Sequence, residues 1–253
     1  MDRSRPGAGG ADTPALLPTE KPSRLDRMLS YATGQSRSQV KRLLLNGEVQ
    51  VDGVPVRNAA LPVTPASQVL LGDALLDWPR HHYLMLHKPA GYVCSSADPA
   101  HPVVTRLIAQ PWAARLHCAG RLDLDTTGLV LLTSDGNWSH ALTSPRRVCD
   151  KSYLVQLAEP LDSALVARFA QGLTLRGDAK PTLPARLEPL DTHQARVWLS
   201  EGRYHQVKRM FAACGNHVIS LHRECIGPIT LDPTLPAGAW RALHADEIGA
   251  VQA

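Results

Sequence analysis

Asp123 and Asp125 stand in the stretch Gly120-Arg121-Leu122-Asp123-Leu124-Asp125-Thr126-Thr127-Gly128, directly ahead of the wholly apolar run Leu129-Val130-Leu131-Leu132. That run reads as a buried strand. An arginine and two carboxylates at its mouth are costly unless they are paired or put to use, so these carboxylates are the first candidates for chemistry. The plainer reading is a loop whose Asp and Thr side chains hydrogen-bond their own backbone. It accounts for Asp125 and Thr126 but leaves Arg121 and Asp123 without a reason.

A second constellation is Glu201-Gly202-Arg203-Tyr204-His205-Gln206-Val207-Lys208-Arg209-Met210-Phe211. Val207, Met210, Phe211 and Cys214 form a helical core stripe that Gly215 ends. His205 and Arg209 share the opposite face. Lys208 lies on the flank, where a cation can reach a partly buried carboxylate; a basic solvent face is the alternative. A third stretch, Lys151-Ser152-Tyr153-Leu154-Val155, reads as a strand, and Tyr153 taken singly is a core-edge aromatic. The fourth, His87-Lys88-Pro89-Ala90-Gly91-Tyr92-Val93-Cys94-Ser95, reads as a turn after a strand.

These residues must be positioned by a chain of 253 residues, enough for one large domain or a medium domain with a small companion. At 44% apolar residues a core can form, and with 5% aromatics it must be mostly aliphatic. No apolar run is long enough for a membrane span, and the N-terminus lacks the apolar centre of a signal peptide. The five cysteines are scattered without a Cys-x-x-Cys pair, which argues against zinc and redox motifs and for reduced thiols in the cytoplasm.

The net charge of +4 is unevenly placed. Residues 21–60 hold seven cations against three carboxylates, an excess equal to that of the whole chain. A basic segment on a near-neutral body suggests a nucleic-acid anchor. Residues 1–22, rich in Gly, Pro and Ala, read as a disordered tail. Ser23 is placed to cap a first helix carrying Leu25, Met28, Leu29 and Ala32, which Gly34 ends. Ser36 and Gln39 form a capping-box pattern for a second helix, with Val40, Leu43 and Leu44 inward and Lys41 and Arg42 outward. Val49-Gln50-Val51 and Val54-Pro55-Val56 flank Asp52-Gly53, a hairpin signal, and a further strand is expected near residues 68–71. Beyond a boundary near Trp78–His82, strands are expected at 83–86, 129–132, 152–157 and 196–199. Helices are expected at 103–109, 137–142, 163–172 and 205–214. The pattern is α+β, without a regular βαβ rhythm.

Residues 23–80 resemble the S4 RNA-binding domain, on Arg24-Leu25-Asp26, Ser36-Arg37 and Val51-Asp52-Gly53. Outward cations there, Arg24, Arg37, Lys41 and Arg42, would meet phosphates. The four constellations, in this order, resemble the pseudouridine synthases of the small-ribosomal-subunit type, which carry an N-terminal S4 domain. The segment Arg203-Tyr204-His205-Gln206 separates the chain from large-subunit relatives, which usually carry Asn-Arg-Gln there.

The resemblance implies a mixed, mainly antiparallel catalytic sheet over residues 81–253. It also implies cofactor-free and metal-free isomerisation of a uridine in 16S ribosomal RNA by a monomer without a membrane partner. The substrate would be free RNA or an assembling small-subunit particle. By the same resemblance Asp123 is the essential aspartate, acting as nucleophile or in proton removal from the sugar. Lys208 is its basic partner, where most relatives have arginine, with Arg209 the second choice. Tyr153 stacks on the target base. Arg121 holds the flipped nucleotide's backbone, and His205 and Leu129 line the substrate pocket. Asp125 is expected to scaffold the loop. The alternatives are the same chemistry on large-subunit or transfer RNA, and a non-catalytic RNA-binding or assembly factor.

Overall fold

The structure is a computed structural model that describes residues 22–78, 81–144 and 149–252. Apart from Pro22, the tail expected over residues 1–22 lies outside the described residues. The chain divides into two compact units, with the boundary between His81 and His82.

In the first unit, helices Leu25–Thr33 and Arg37–Asn46 bury Leu25, Met28, Leu29, Val40 and Leu44. These pack with Val49, Val51, Val63 and Val69 in one small aliphatic core. The second helix has the expected capping box between Ser36 and Gln39. The first does not use Ser23. That residue pairs as extended chain with Val63, and the helix starts after Arg24 with no side-chain cap. Arg24 instead ion-pairs with Asp26 in the first turn at 2.7 Å. A four-stranded antiparallel sheet completes the unit. Its first hairpin turns at Asp52 and Gly53, both with positive φ (51° and 79°), the backbone of a type I′ turn.

The second unit is built on a nine-stranded sheet. Along its main path run Arg186–Pro189, Gln194–Leu199, Lys151–Leu157, Val218–Ile226, Thr127–Thr133, Tyr83–Lys88 and Trp240–Ala242. Every pairing is antiparallel except that between Thr127–Thr133 and Val218–Ile226, where Thr127 faces His222 and Gly128 faces Arg223. Two antiparallel halves therefore meet at one parallel junction, and the Asp123 loop feeds that junction. The mixed, mainly antiparallel α+β fold expected from the sequence is borne out.

The core is aliphatic, with Phe169 against Phe211 as its buried ring pair, centroids 4.9 Å apart. The expected helix at 103–109 is a four-residue 3-10 turn, Val104–Leu107. The helix expected from His205 starts at Gln206. No described helix is long and apolar enough to cross a membrane.

Candidate active site

Lys88 ends the Tyr83–Lys88 strand and is fully buried. Its ammonium donates to the carbonyls of Pro89 (3.1 Å), Leu124 (3.2 Å) and Thr126 (2.6 Å). Burial pushes its pKa down, opposed by the charges of Cys94, Asp125 and Asp123. An ammonium taken out of water needs such acceptors. In supplying them, the peptide units around Asp123 and Asp125 become fixed to the sheet.

Arg223 works from the other side. It lies on the Val218–Ile226 strand at 2% exposure. Its Nε donates to the carbonyl of Leu129 at 2.9 Å and its Nη1 to that of Arg121 at 3.0 Å. Among the described residues, two buried side-chain polar atoms lack a hydrogen-bond partner, Arg223 Nη2 and Thr126 Oγ1. Both belong to this frame. Unsatisfied groups are rare in native cores and concentrate where function constrains a structure.

So held, the Asp123 carboxylate opens into a cleft of about 930 Å³, near the upper end of the ~300–1,000 Å³ usual for small-molecule sites. Tyr153, largely buried on the Lys151–Leu157 strand, lines it together with Arg121, Leu122, His205 and Leu221. His205 Nε2 lies 3.5 Å from Asp123 Oδ1, and Lys208 Nζ lies 3.6 Å from Asp123 Oδ2. The arrangement joins a carboxylate, a cation and an aromatic ring in one concave site, as nucleophilic or acid–base chemistry on a planar substrate needs.

Three expectations are corrected. Asp125 is not the scaffold of the loop. Its side chain is 71% exposed and ion-pairs with Lys208 at 2.5 Å, which holds its carboxyl below the usual carboxylate range. Lys88 and Arg223 do the scaffolding. Arg209 does not approach Asp123. It pairs with Asp178 at 2.6 Å and donates to the carbonyls of Arg176 and Tyr204, because its helix position directs it to the outer loop. Leu129 is fully buried and does not line the cleft, since the pleat turns it into the sheet's packing.

Arg223 and Lys88 escaped the sequence reading as site residues. A signal existed for both: Lys88 continues the apolar strand Tyr83–Leu86, and Arg223 shares a strand face with Leu221, so each cation sits at a core position. In the first unit, Arg37, Lys41 and Arg42 are exposed and form no ion pair among the described residues, whereas Arg24 is taken up by Asp26.

A carboxylate, its basic partners and an aromatic ring gathered in one cleft are the equipment of an enzyme. The chain matches the RNA pseudouridylate synthase family over residues 82–213 and the S4 domain over residues 23–69, and it belongs to that synthase family. It is 50% identical to ribosomal small subunit pseudouridine synthase A of Yersinia pestis over 231 residues, 91% of this chain and 98% of that one. It is 50% identical to the protein of the same name from Escherichia coli K12 over 229 residues, 90% of this chain and 99% of that one. A crystal structure of a pseudouridylate synthase superposes with a TM-score of 0.67 at 44% identity, covering 90% of this chain and 99% of that one. The protein is therefore a pseudouridine synthase with an S4 domain, and its substrate is RNA.

Proposed function

We propose that this enzyme isomerises a uridine of small-subunit (16S) ribosomal RNA in the cytoplasm. The observation that carries the catalytic reading is the Asp123 carboxylate beside Lys208 and His205 in a cleft lined by Tyr153. The names of the relatives carry the small-subunit assignment.

The target uridine leaves its stack, at a cost of about a few kcal/mol, and the ring of Tyr153 offers a replacement face. Asp123 acts on the ribose, the bond from C1′ to N1 breaks, and the base turns while still held in the cleft. The bond from C1′ to C5 then forms, C5 releases its proton and N1 gains one, so substrate and product have the same composition. The Lys208 side chain stands with its Nζ 3.6 Å from the Asp123 carboxylate. Arg121, exposed at the mouth, meets the backbone of the displaced nucleotide.

Pseudouridine mapping of total ribosomal RNA, with and without the gene, tests the assignment. One 16S position should lose its modification in the deletion strain and regain it on complementation. Loss at a large-subunit or transfer-RNA position instead would overturn the small-subunit reading.

The first unit supplies affinity through Arg37, Lys41 and Arg42. Replacing all three with glutamine should weaken RNA binding at low salt. It should also make the log–log salt dependence shallower by about 2–3, or 0.7–0.9 per lost phosphate contact. A titration series across salt concentrations reads this directly, and an unchanged slope would remove these cations from the interface.

A further inference from the structure

Tyr204 is the most exposed large apolar side chain among the described residues, at 77%. A single exposed aromatic is ordinary, but this one is held in place. Its ring stacks on that of His205, with centroids 3.8 Å apart and planes 19° from parallel. His205 has φ +47°, a left-handed backbone that costs energy for a residue with a Cβ.

The turn is clamped from beneath. Arg203 and Arg209 share the carboxylate of Asp178 at 2.9 and 2.6 Å, which holds that carboxyl below its ordinary range. Arg209 Nη1 donates to the carbonyl of Tyr204 at 3.2 Å. The buried Gln206 accepts from the Arg203 amide at 2.8 Å and donates to Glu201 at 2.7 Å. Five side chains thus fix a strained turn whose outcome is one ring at the reaction centre and one ring presented to solvent beside it.

We propose that Tyr204 is a base-stacking platform at the rim of the cleft, receiving a nucleotide adjacent to the target uridine. The proposal rests on the reading of the cleft as the uridine site. Extruding one base leaves its neighbour without a stacking partner on one side. An aromatic face is what single-stranded RNA recognition uses there, because every base has a π-face. His205 ties the platform to the chemistry, since the same ring that supports Tyr204 lies 3.5 Å from Asp123. The clamp means that little side-chain freedom is lost on binding.

The test compares Tyr204→Ala, Tyr204→Leu, Tyr204→Phe and Tyr204→Trp in the full-length enzyme acting on a 16S RNA transcript. Base–aromatic stacking corresponds to roughly 5- to 150-fold in affinity. Tyr204→Ala and Tyr204→Leu should therefore raise KM by about 10-fold or more, with kcat within about 3-fold and thermal stability unchanged. Tyr204→Phe and Tyr204→Trp should restore KM. A 2-aminopurine placed beside the mapped uridine should be quenched by the wild type and Tyr204→Phe, and not by Tyr204→Ala.

An unchanged KM in Tyr204→Ala would overturn the platform, as would full rescue by leucine, which marks an apolar contact rather than a stack. An effect confined to ribonucleoprotein particles would also overturn it, placing the ring against a protein. In each of these cases, wild-type turnover lost in Asp123→Asn leaves the uridine-site reading standing. Undiminished turnover in Asp123→Asn would remove that reading itself.

Discussion

Asp123→Asn is expected to abolish pseudouridine formation, by at least about 10³-fold, while RNA affinity stays within a few-fold of wild type. The substitution keeps the shape of the side chain and removes its charge and its basicity. His205 at 3.5 Å and Lys208 at 3.6 Å would then face a neutral amide. Lys208 retains Asp125 at 2.5 Å, so no cation is left stranded and the fold should hold. The frame that positions residue 123 is built on backbone carbonyls bound by Lys88 and Arg223, which the substitution does not touch. Losing a negative charge beside incoming phosphates works toward tighter binding, if anything. The companion variant Asp125→Asn separates the two carboxylates. It frees Lys208 from its pair in solvent and leaves the cation to Asp123 alone, so turnover should stay within about 10-fold, the small effect of an exposed ion pair. Single-turnover assays with mass-spectrometric readout of the RNA distinguish these outcomes. Undiminished turnover in Asp123→Asn would reject the catalytic assignment.

How much of this was legible in the chain follows from how local each signal is. The capping box at Ser36, the hairpin at Asp52-Gly53 and the apolar strand after Gly128 are written in neighbouring residues, and the structure contains all three. The helical stripe of Val207, Met210 and Phe211 places Lys208 on the border of the core, but its pairing with Asp123 was implied by the family resemblance and not by the spacing. Long-range placement was not legible. Asp125 looks like a loop scaffold until a lysine 83 residues away is seen to take its carboxylate. Arg223 is 102 residues from the carbonyl it holds at Arg121, and only the parallel junction brings the two together. Ser23 fails as a cap because its backbone is committed to a ladder with Val63, a tertiary partner that no helix rule anticipates.

Gly128→Ala should be severely damaging to the catalytic unit. Gly128 has φ +106°, and a Cβ built there would collide with the backbone oxygen of Arg223 and lie 2.6 Å from its nitrogen. Neither atom can yield as a flexible side chain would, because both belong to the strand that forms the parallel junction. The opposite edge is equally fixed, since Gly128 pairs with Lys88 in the antiparallel direction. The added methyl must therefore push apart the sheet halves that are joined there, or rotate the chain between Thr127 and the Asp123 loop. Left-handed strain and overpacking together are expected to cost about 3 kcal/mol or more. For a unit of this size that corresponds to a drop in Tm of roughly 6–12 °C. The catalytic loss should exceed what the stability loss alone brings. Gly128 lies five residues after Asp123, and a displacement of about 1 Å at a catalytic group can lower turnover by about 10²-fold. Gly120→Ala is the control. That position also has positive φ, +95°, but no heavy atom lies within 4 Å of the added methyl, so only the backbone cost of about 1–2 kcal/mol applies. Thermal melts and single-turnover rates on both variants separate the two effects. If Gly128→Ala melts and reacts like Gly120→Ala, the close approach to Arg223 is not what holds the Asp123 loop in register.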